Sequence, residues 1–184
     1  MSKSNLNKLK RTLISACSAI LLLVAGHFSL TSANLPTAPA GTIRQSIAPH
    51  QTIEAQVVRT VDGDTCIIRI QNQTYRLRLI GIDTPESVHP DPKRNTKAGK
   101  QASLYTQKAL TGKTVRVEFD QRITDRYDRL LGYLWLDDKL FNQTLVAEGL
   151  AQAKSYPPNR KYDRLFKTAE QLAKQAKKGI WKTD

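Results

Sequence analysis

The segment RLRLIGIDTPES, Arg76 to Ser87, sets two arginines and two carboxylates around a short apolar run. Arg76 and Arg78 share a face of any strand, while Asp83 and Glu86 close the run. Upstream, the motif VDGDT at 61–65 places Asp64 on the same strand face as Cys66, Ile68 and Ile70. A carboxylate capping an apolar face is costly unless it meets a cation. Asp64 and Asp83, with nearby backbone carbonyls and water, suit a hard cation with oxygen ligands, for which calcium is the natural candidate. No EF-hand loop is present, and the histidines at 27, 50 and 89 give no zinc spacing. Either DGD or DTP alone fits an ordinary turn equally well. A second arginine cluster, TDRYDR at 124–129, adds Arg129. Guanidinium groups hold phosphate oxygens through a fixed fork of donors, although a single arginine on a strand is more often a solubilising group. A phosphodiester among a dication, arginines and a carboxylate would have its developing charge stabilised and a water activated, which is nuclease chemistry. One geometric demand follows. Arg78 and Asp83 are five residues apart, so strict alternation sends them to opposite faces. They meet only if Gly81 marks a bulge or the chain turns at Asp83.

The elements that must position these groups follow from periodicity. Alternation at Ile53, Ala55 and Val57, at Cys66, Ile68 and Ile70, and at Leu77 and Leu79 predicts three antiparallel strands. Asp62-Gly63 and Gln71-Asn72 supply the turns between them. A helix follows over 96–110, closed by Gly112, then strands over 114–119 and 130–136. Two further helices are expected at about 142–153 and 162–178, with Gly179 stopping the last. Five strands with a helix between the third and fourth are the order of an OB-fold β-barrel, here α+β with about three α-helices. An antiparallel sheet packed on helices fits the same string.

Composition bounds the partners. The chain has 184 residues, with 29 Lys+Arg against 16 Asp+Glu and a net charge of +13, which points to an anionic partner such as nucleic acid or a membrane surface. The first 33 residues hold Lys3, Lys8, Lys10 and Arg11 and no acid, ahead of the uncharged run TLISACSAILLLVAG. That run makes about 22 Å of helix, short of the ~30 Å hydrocarbon core, so 1–33 reads as a secretory signal cleaved after Ala33. An uncleaved amino-terminal anchor is the alternative, and only then would the protein contact a membrane. The expected location is export, either secretion or the periplasm and cell envelope. Residues 34–51, rich in proline, read as a disordered linker, and 52–182 as the folded domain. Once the signal leaves with Cys17, Cys66 is alone and no intramolecular disulfide is available.

The motifs VDGDT (61–65), RLRLIGIDTPE (76–86), TDRYDRLLGYLW (124–135) and LVAEGLA (145–151) resemble, in order and spacing, the staphylococcal-type thermonucleases. The resemblance spans about Thr52 to Trp181. It implies an OB-fold barrel with three helices and a calcium-dependent phosphodiesterase that acts on DNA and RNA and leaves 5′-hydroxyl and 3′-phosphate ends. Carried over by motif, Asp64 and Asp83 become calcium-ligand carboxylates and Thr84 supplies a backbone carbonyl. Arg78 and Arg129 become phosphate clamps, and Glu86 the general base for the attacking water. No protein partner is implied, and a monomer is expected. Two departures stand out. Asp128 occupies a position where the family pattern has glycine, which sets a carboxylate beside the second clamp, either competing modestly for Arg129 or pairing with Arg126 instead. Lys154 and Ser155 occupy the stretch where the best-known member has a base-stacking tyrosine, leaving Tyr127 and Tyr156 as aromatic candidates. The competing reading is a catalytically silent OB-fold that only binds nucleic acid. Such a domain has no need for Asp64, Arg78, Asp83, Glu86 and Arg129 together.

Overall fold

The computed structural model describes residues 46–88 and 90–182. The expected signal segment, 1–33, and linker residues 34–45 lie outside the described residues. Packing begins before Thr52, because Ile47 is buried in the core and the His50 N–H donates to Asp120 O at 3.4 Å. The last part of the stretch read as linker is therefore a cap on the folded body.

The alternating segments form β1 (Thr52–Asp62), β2 (Thr65–Ile70) and β3 (Gln73–Leu79), followed after the first helix by β5 (Thr114–Glu118) and β6 (Leu130–Leu136). Neighbours pair antiparallel in the order β3-β2-β1-β5-β6, and a parallel contact of β3 with β6 closes the sheet into a five-stranded barrel. Closure leaves no long edge open. Val57, Ile68, Leu77, Val117 and Leu134 fill the interior and are fully buried. At about 1.5–3 kcal/mol each, such side chains supply the main favourable term of folding.

Three local features aim the chain at one end of the barrel. Register shifts between Val57 and Arg59 and between Thr60 and Asp62 coil the end of β1, carrying the 62–64 turn over the barrel mouth. Gly63 is required in that turn, since a Cβ there would stand 2.9 Å from Thr84 Cγ2 and 3.0 Å from Ala102 Cβ. The β3 strand ends at Leu79, and the chain turns through Gly81 at φ +80° into β4 (Ile82–Asp83). This turn is the distortion that the Arg78–Asp83 spacing demands. Asn142, fully buried, fixes it by donating to Ile80 O at 2.9 Å while accepting from Leu134 N at 2.9 Å.

Helix α1 (Lys97–Leu110) begins at Thr96, whose hydroxyl accepts from Gly99 N at 2.9 Å, and packs Gly99, Ala102, Thr106 and Leu110 inward. Its first turn rests on the Pro85–Glu86 backbone, which lies where a Cβ on residue 99 would be. A short strand β7 (Lys139–Leu140) leads into α2 (Phe141–Ala147), and α3 (Asp163–Gln175) packs against it. The helix expected to run to 153 thus stops at Ala147. Gly149 takes φ +67° beyond the helix end, and Gln152–Ala153 form β8, which pairs antiparallel with β4. That two-residue ladder tethers the carboxylate at 83 to the chain near Lys154.

Candidate active site

Arg78 is the centre of the site. It lies on β3, is 5% exposed, and forms ion pairs with two aspartates at once. Nη2 donates to Asp83 Oδ1 at 2.7 Å, and Nη1 pairs with Asp64 Oδ1. Asp64, also buried, is oriented from its other oxygen. The Thr84 N–H and hydroxyl both donate to Oδ2, each at 2.9 Å. Thr84 thus positions Asp64 through its amide and side chain. Asp83 is more open and takes a second cation, Lys154 Nζ, at 2.9 Å.

The same pocket, about 310 Å³, is also lined by Glu86, Arg76, Arg129 and Tyr156. The structure thus brings Asp64, Arg78, Asp83, Thr84, Glu86 and Arg129 to one pocket. The Glu86 carboxylate has no hydrogen-bond or ion-pair partner among the described residues, while its backbone carbonyl accepts from Thr96 N at 2.9 Å. The acid is held by its main chain and left free at its tip.

Arg129 departs from expectation. The carboxylate on its guanidinium is Asp125, which accepts from Nε at 2.8 Å, lies 2.7 Å from Nη2, and also accepts from the Arg129 N–H at 3.0 Å. This pairing occupies the side edge of the guanidinium and leaves the end formed by the two Nη groups for a substrate oxygen. Asp128 instead marks a backbone requirement. It has φ +63° in the turn that its N–H closes onto Asp125 O at 3.1 Å, the left-handed region that glycine enters most readily. The glycine of the family pattern at this position is thus explained by conformation.

Burial alone would raise the Asp125 carboxyl's pKa, but hydrogen bonds from the Arg129 backbone and side chain and from Tyr127 N outweigh it and hold it below the ordinary value. A lowered folded-state pKa gives stability that is present above the unfolded value of about 3.9 and lost as pH falls through the folded value. The acid side of the thermal-melt profile is therefore expected to flatten in Asp125→Asn. An unchanged acid limb in that variant would contradict the pairing.

Tyr127 and Tyr156 border an adjoining pocket of about 480 Å³, which meets the first at Arg129 and Tyr156. Tyr127 is 61% exposed, with the guanidinium carbons of Arg126 and Arg129 at 4.8 Å and 5.6 Å from its ring centre. Three contributors escaped the sequence reading. Asp62 lines the first pocket and accepts from Ser87 Oγ at 2.6 Å, and its place two residues before Asp64 was the available signal. Asp125 stands four residues before Arg129 in a loop, where spacing says nothing about contact. Lys154 meets Asp83 across 71 positions of sequence.

Among the described residues, no group of three or more carboxylates, histidines or cysteines is arranged to hold a metal. The donor chemistry nonetheless fits a hard cation. Asp64 and Asp83 already converge on one cationic group, and the remaining ligands of such an ion are ordinarily main-chain carbonyls and water. Among the described residues no thiolate competes, since Cys66 is buried and burial pushes its thiol up to about 12.

Residues 76–183 match the family model described as staphylococcal nuclease homologue. The thermonuclease of Staphylococcus hyicus is 40% identical over 96% of this chain and 99% of its own length. That of Staphylococcus intermedius is 48% identical over 68% of this chain and 74% of its own. Endonuclease YncB of Bacillus subtilis (strain 168) is 33% identical over 76% and 69%. With a closed barrel carrying the paired aspartates and arginines at its mouth, and with these relatives aligned along it, the chain belongs to the staphylococcal nuclease family and is a hydrolase of phosphodiester bonds.

Proposed function

We propose that the protein is a calcium-dependent nuclease that hydrolyses DNA and RNA to 5′-hydroxyl and 3′-phosphate ends. The observation that carries this reading is the convergence of Asp64 and Asp83 on buried Arg78, in an open pocket where the Glu86 carboxylate is unpaired. Asp64, Asp83 and the Thr84 carbonyl would hold the ion. Calcium bound there would polarise a phosphoryl oxygen and neutralise part of the charge that develops on it.

The chain's own groups account for the rest. Glu86 takes a proton from water as the water oxygen attacks phosphorus. The bond from phosphorus to the 5′-oxygen breaks, that oxygen takes a proton from solvent while Glu86 later returns its own to solvent, and the phosphate stays on the 3′ side. Arg78 and the free end of Arg129 donate to the non-bridging oxygens, whose charge grows in the transition state. Tyr127 and Tyr156, which line the pocket shared with Arg129, would offer ring faces to bases, a contact that tolerates any base and so admits both DNA and RNA.

The direct test is digestion of single-stranded DNA and RNA with calcium and with excess chelator, followed by end-group analysis. Cleavage is expected only with calcium, leaving fragments that a kinase labels at the 5′ end without prior phosphatase treatment. Undiminished cleavage in chelator would remove the ion from the reading, and 5′-phosphate ends would reverse the polarity of bond breaking. The reading includes export, with 1–33 as a secretory signal and the mature chain beginning near Asn34. Amino-terminal sequencing of the protein recovered outside the cytoplasm checks it, and full-length chain in the membrane fraction would favour the anchor.

A further inference from the structure

Helix α1 carries an outward stripe that the chemistry above does not use. Helical spacing aligns Lys97, Lys100, Leu104 and Lys108, with Tyr105 beside them, opposite the face of Gly99, Ala102, Thr106 and Leu110 that packs on the barrel. Leu104 is 47% exposed and Tyr105 37% exposed. The Tyr105 ring is braced against Phe141 at 6.2 Å and an interplanar angle of 21°. All three lysines are exposed, and none of their ammonium groups has a hydrogen-bond or ion-pair partner among the described residues.

Lys97 and Lys100 are poor choices for the helix itself. No acid occurs in α1 to pair with the lysines, and the first turn, where an acid would suit the helix dipole, carries Lys97 and Lys100 instead. The composition makes sense if the charge is directed outward at a polyanion. The stripe also continues the catalytic pocket. Glu86 lines that pocket, its carbonyl accepts from Thr96 N at 2.9 Å, and Lys97 is the next residue. From Lys97 to Lys108 the helix rises roughly 16 Å, a span of several phosphates along one strand.

We propose that the solvent face of α1 is a second nucleic-acid contact, a track that holds the single strand beyond the scissile bond. Lys97, Lys100 and Lys108 take its phosphates, and a base lies against Tyr105 and Leu104. This rests on the nuclease reading and adds to it a preference for long substrates. An anionic membrane surface would match the charge, but two half-exposed apolar side chains make a small anchor beside three lysines.

The test replaces the three lysines in the full chain, Lys97→Gln, Lys100→Gln and Lys108→Gln together. It compares KM on a single strand of about 30 nucleotides with KM on a dinucleotide over a range of salt. The ratio of the two KM values is expected to move roughly tenfold against the long strand, and the salt slope of its binding to fall by about two, since each phosphate contact contributes about 0.7. An unchanged ratio and slope would overturn the track, as would an equal loss on both substrates, which would place the lysines' effect in the catalytic pocket. If the wild type cleaves neither substrate, the nuclease reading fails by itself. Anisotropy of the labelled long strand without calcium then decides the track, through weaker binding by the variant or equal binding. Loss of binding to phosphatidylglycerol vesicles with unchanged strand binding would assign the face to a membrane and overturn the proposal.

Discussion

Arg129→Ala is expected to lower kcat on single-stranded DNA about a thousandfold while changing KM only a few fold. The reason lies in how the guanidinium is shared. Asp125 holds it by Nε and Nη2 and by the backbone N–H of the same residue, so its orientation is fixed before substrate arrives. Fixed donors stabilise charge that appears in the transition state without reorganising, and that contribution reaches kcat. On the proposed reading the ground-state phosphate would still be bound by Arg78 and the surrounding basic surface, which keeps KM nearly constant. Arg129→Lys is expected to recover little. An ammonium is a single point charge and cannot serve Asp125 and a phosphate oxygen through separate edges. Near-wild-type turnover in Arg129→Ala, measured at saturating calcium and substrate, would remove this residue from the reaction and the assignment of the pocket with it.

Asp83→Ala is expected to abolish the calcium response and reduce calcium-stimulated cleavage by at least about a thousandfold, with binding of nucleic acid retained or tightened. Asp83 is the partner of two cations, Arg78 and Lys154. Its removal takes one negative charge from the pocket, which weakens attraction for a dication and strengthens it for a polyanion. The two effects separate in two measurements. Calorimetric titration should show calcium affinity lost, while salt-dependent filter binding without calcium should show the strand bound at least as tightly as by the wild type. Wild-type calcium affinity in the variant would show that the ion, if bound, is held elsewhere. The balance at Arg78 also explains why the pocket tolerates so many acids. Asp64 is buried, and stranding it without Arg78 would cost about 3–5 kcal/mol.

Much of this was legible because the barrel is built from long alternating strands. The period-two pattern in β1, β2 and β3 predicts which side chains turn inward, and the Arg78–Asp83 spacing demands the turn that Gly81 supplies. What escaped is carried by short or distant pairings. The β4 and β8 strands have two residues each, too few to show a period, so the sequence 142–153 read as one helix although Gly149 ends it early. Lys154 meets Asp83 through that ladder. The contact is a consequence of tertiary pairing and leaves no trace in local spacing. Asp125 escaped the sequence reading and Asp128 drew it, although both flank arginines in one hexapeptide. Only backbone conformation separates them: the first folds its carboxylate onto Arg129, and the second sits where the chain must take positive φ. The solvent face of α1 was silent as function, since lysines beside two apolar side chains at helical spacing also describe an ordinary solvated helix.

The burial of Cys66 has a practical consequence. A thiol with almost no exposed surface, its pKa pushed by burial up to about 12, is closed to alkylating reagents while the barrel stays shut, because they need both access and thiolate. Its neighbours in β2 pair with strands on both sides, so exposing it means parting the barrel. In the body of the protein, without the amino-terminal segment and its Cys17, the rate of thiol labelling is therefore a clock for global opening. It can be read without an engineered probe, and it lets losses of turnover in the pocket variants be separated from losses of folded protein.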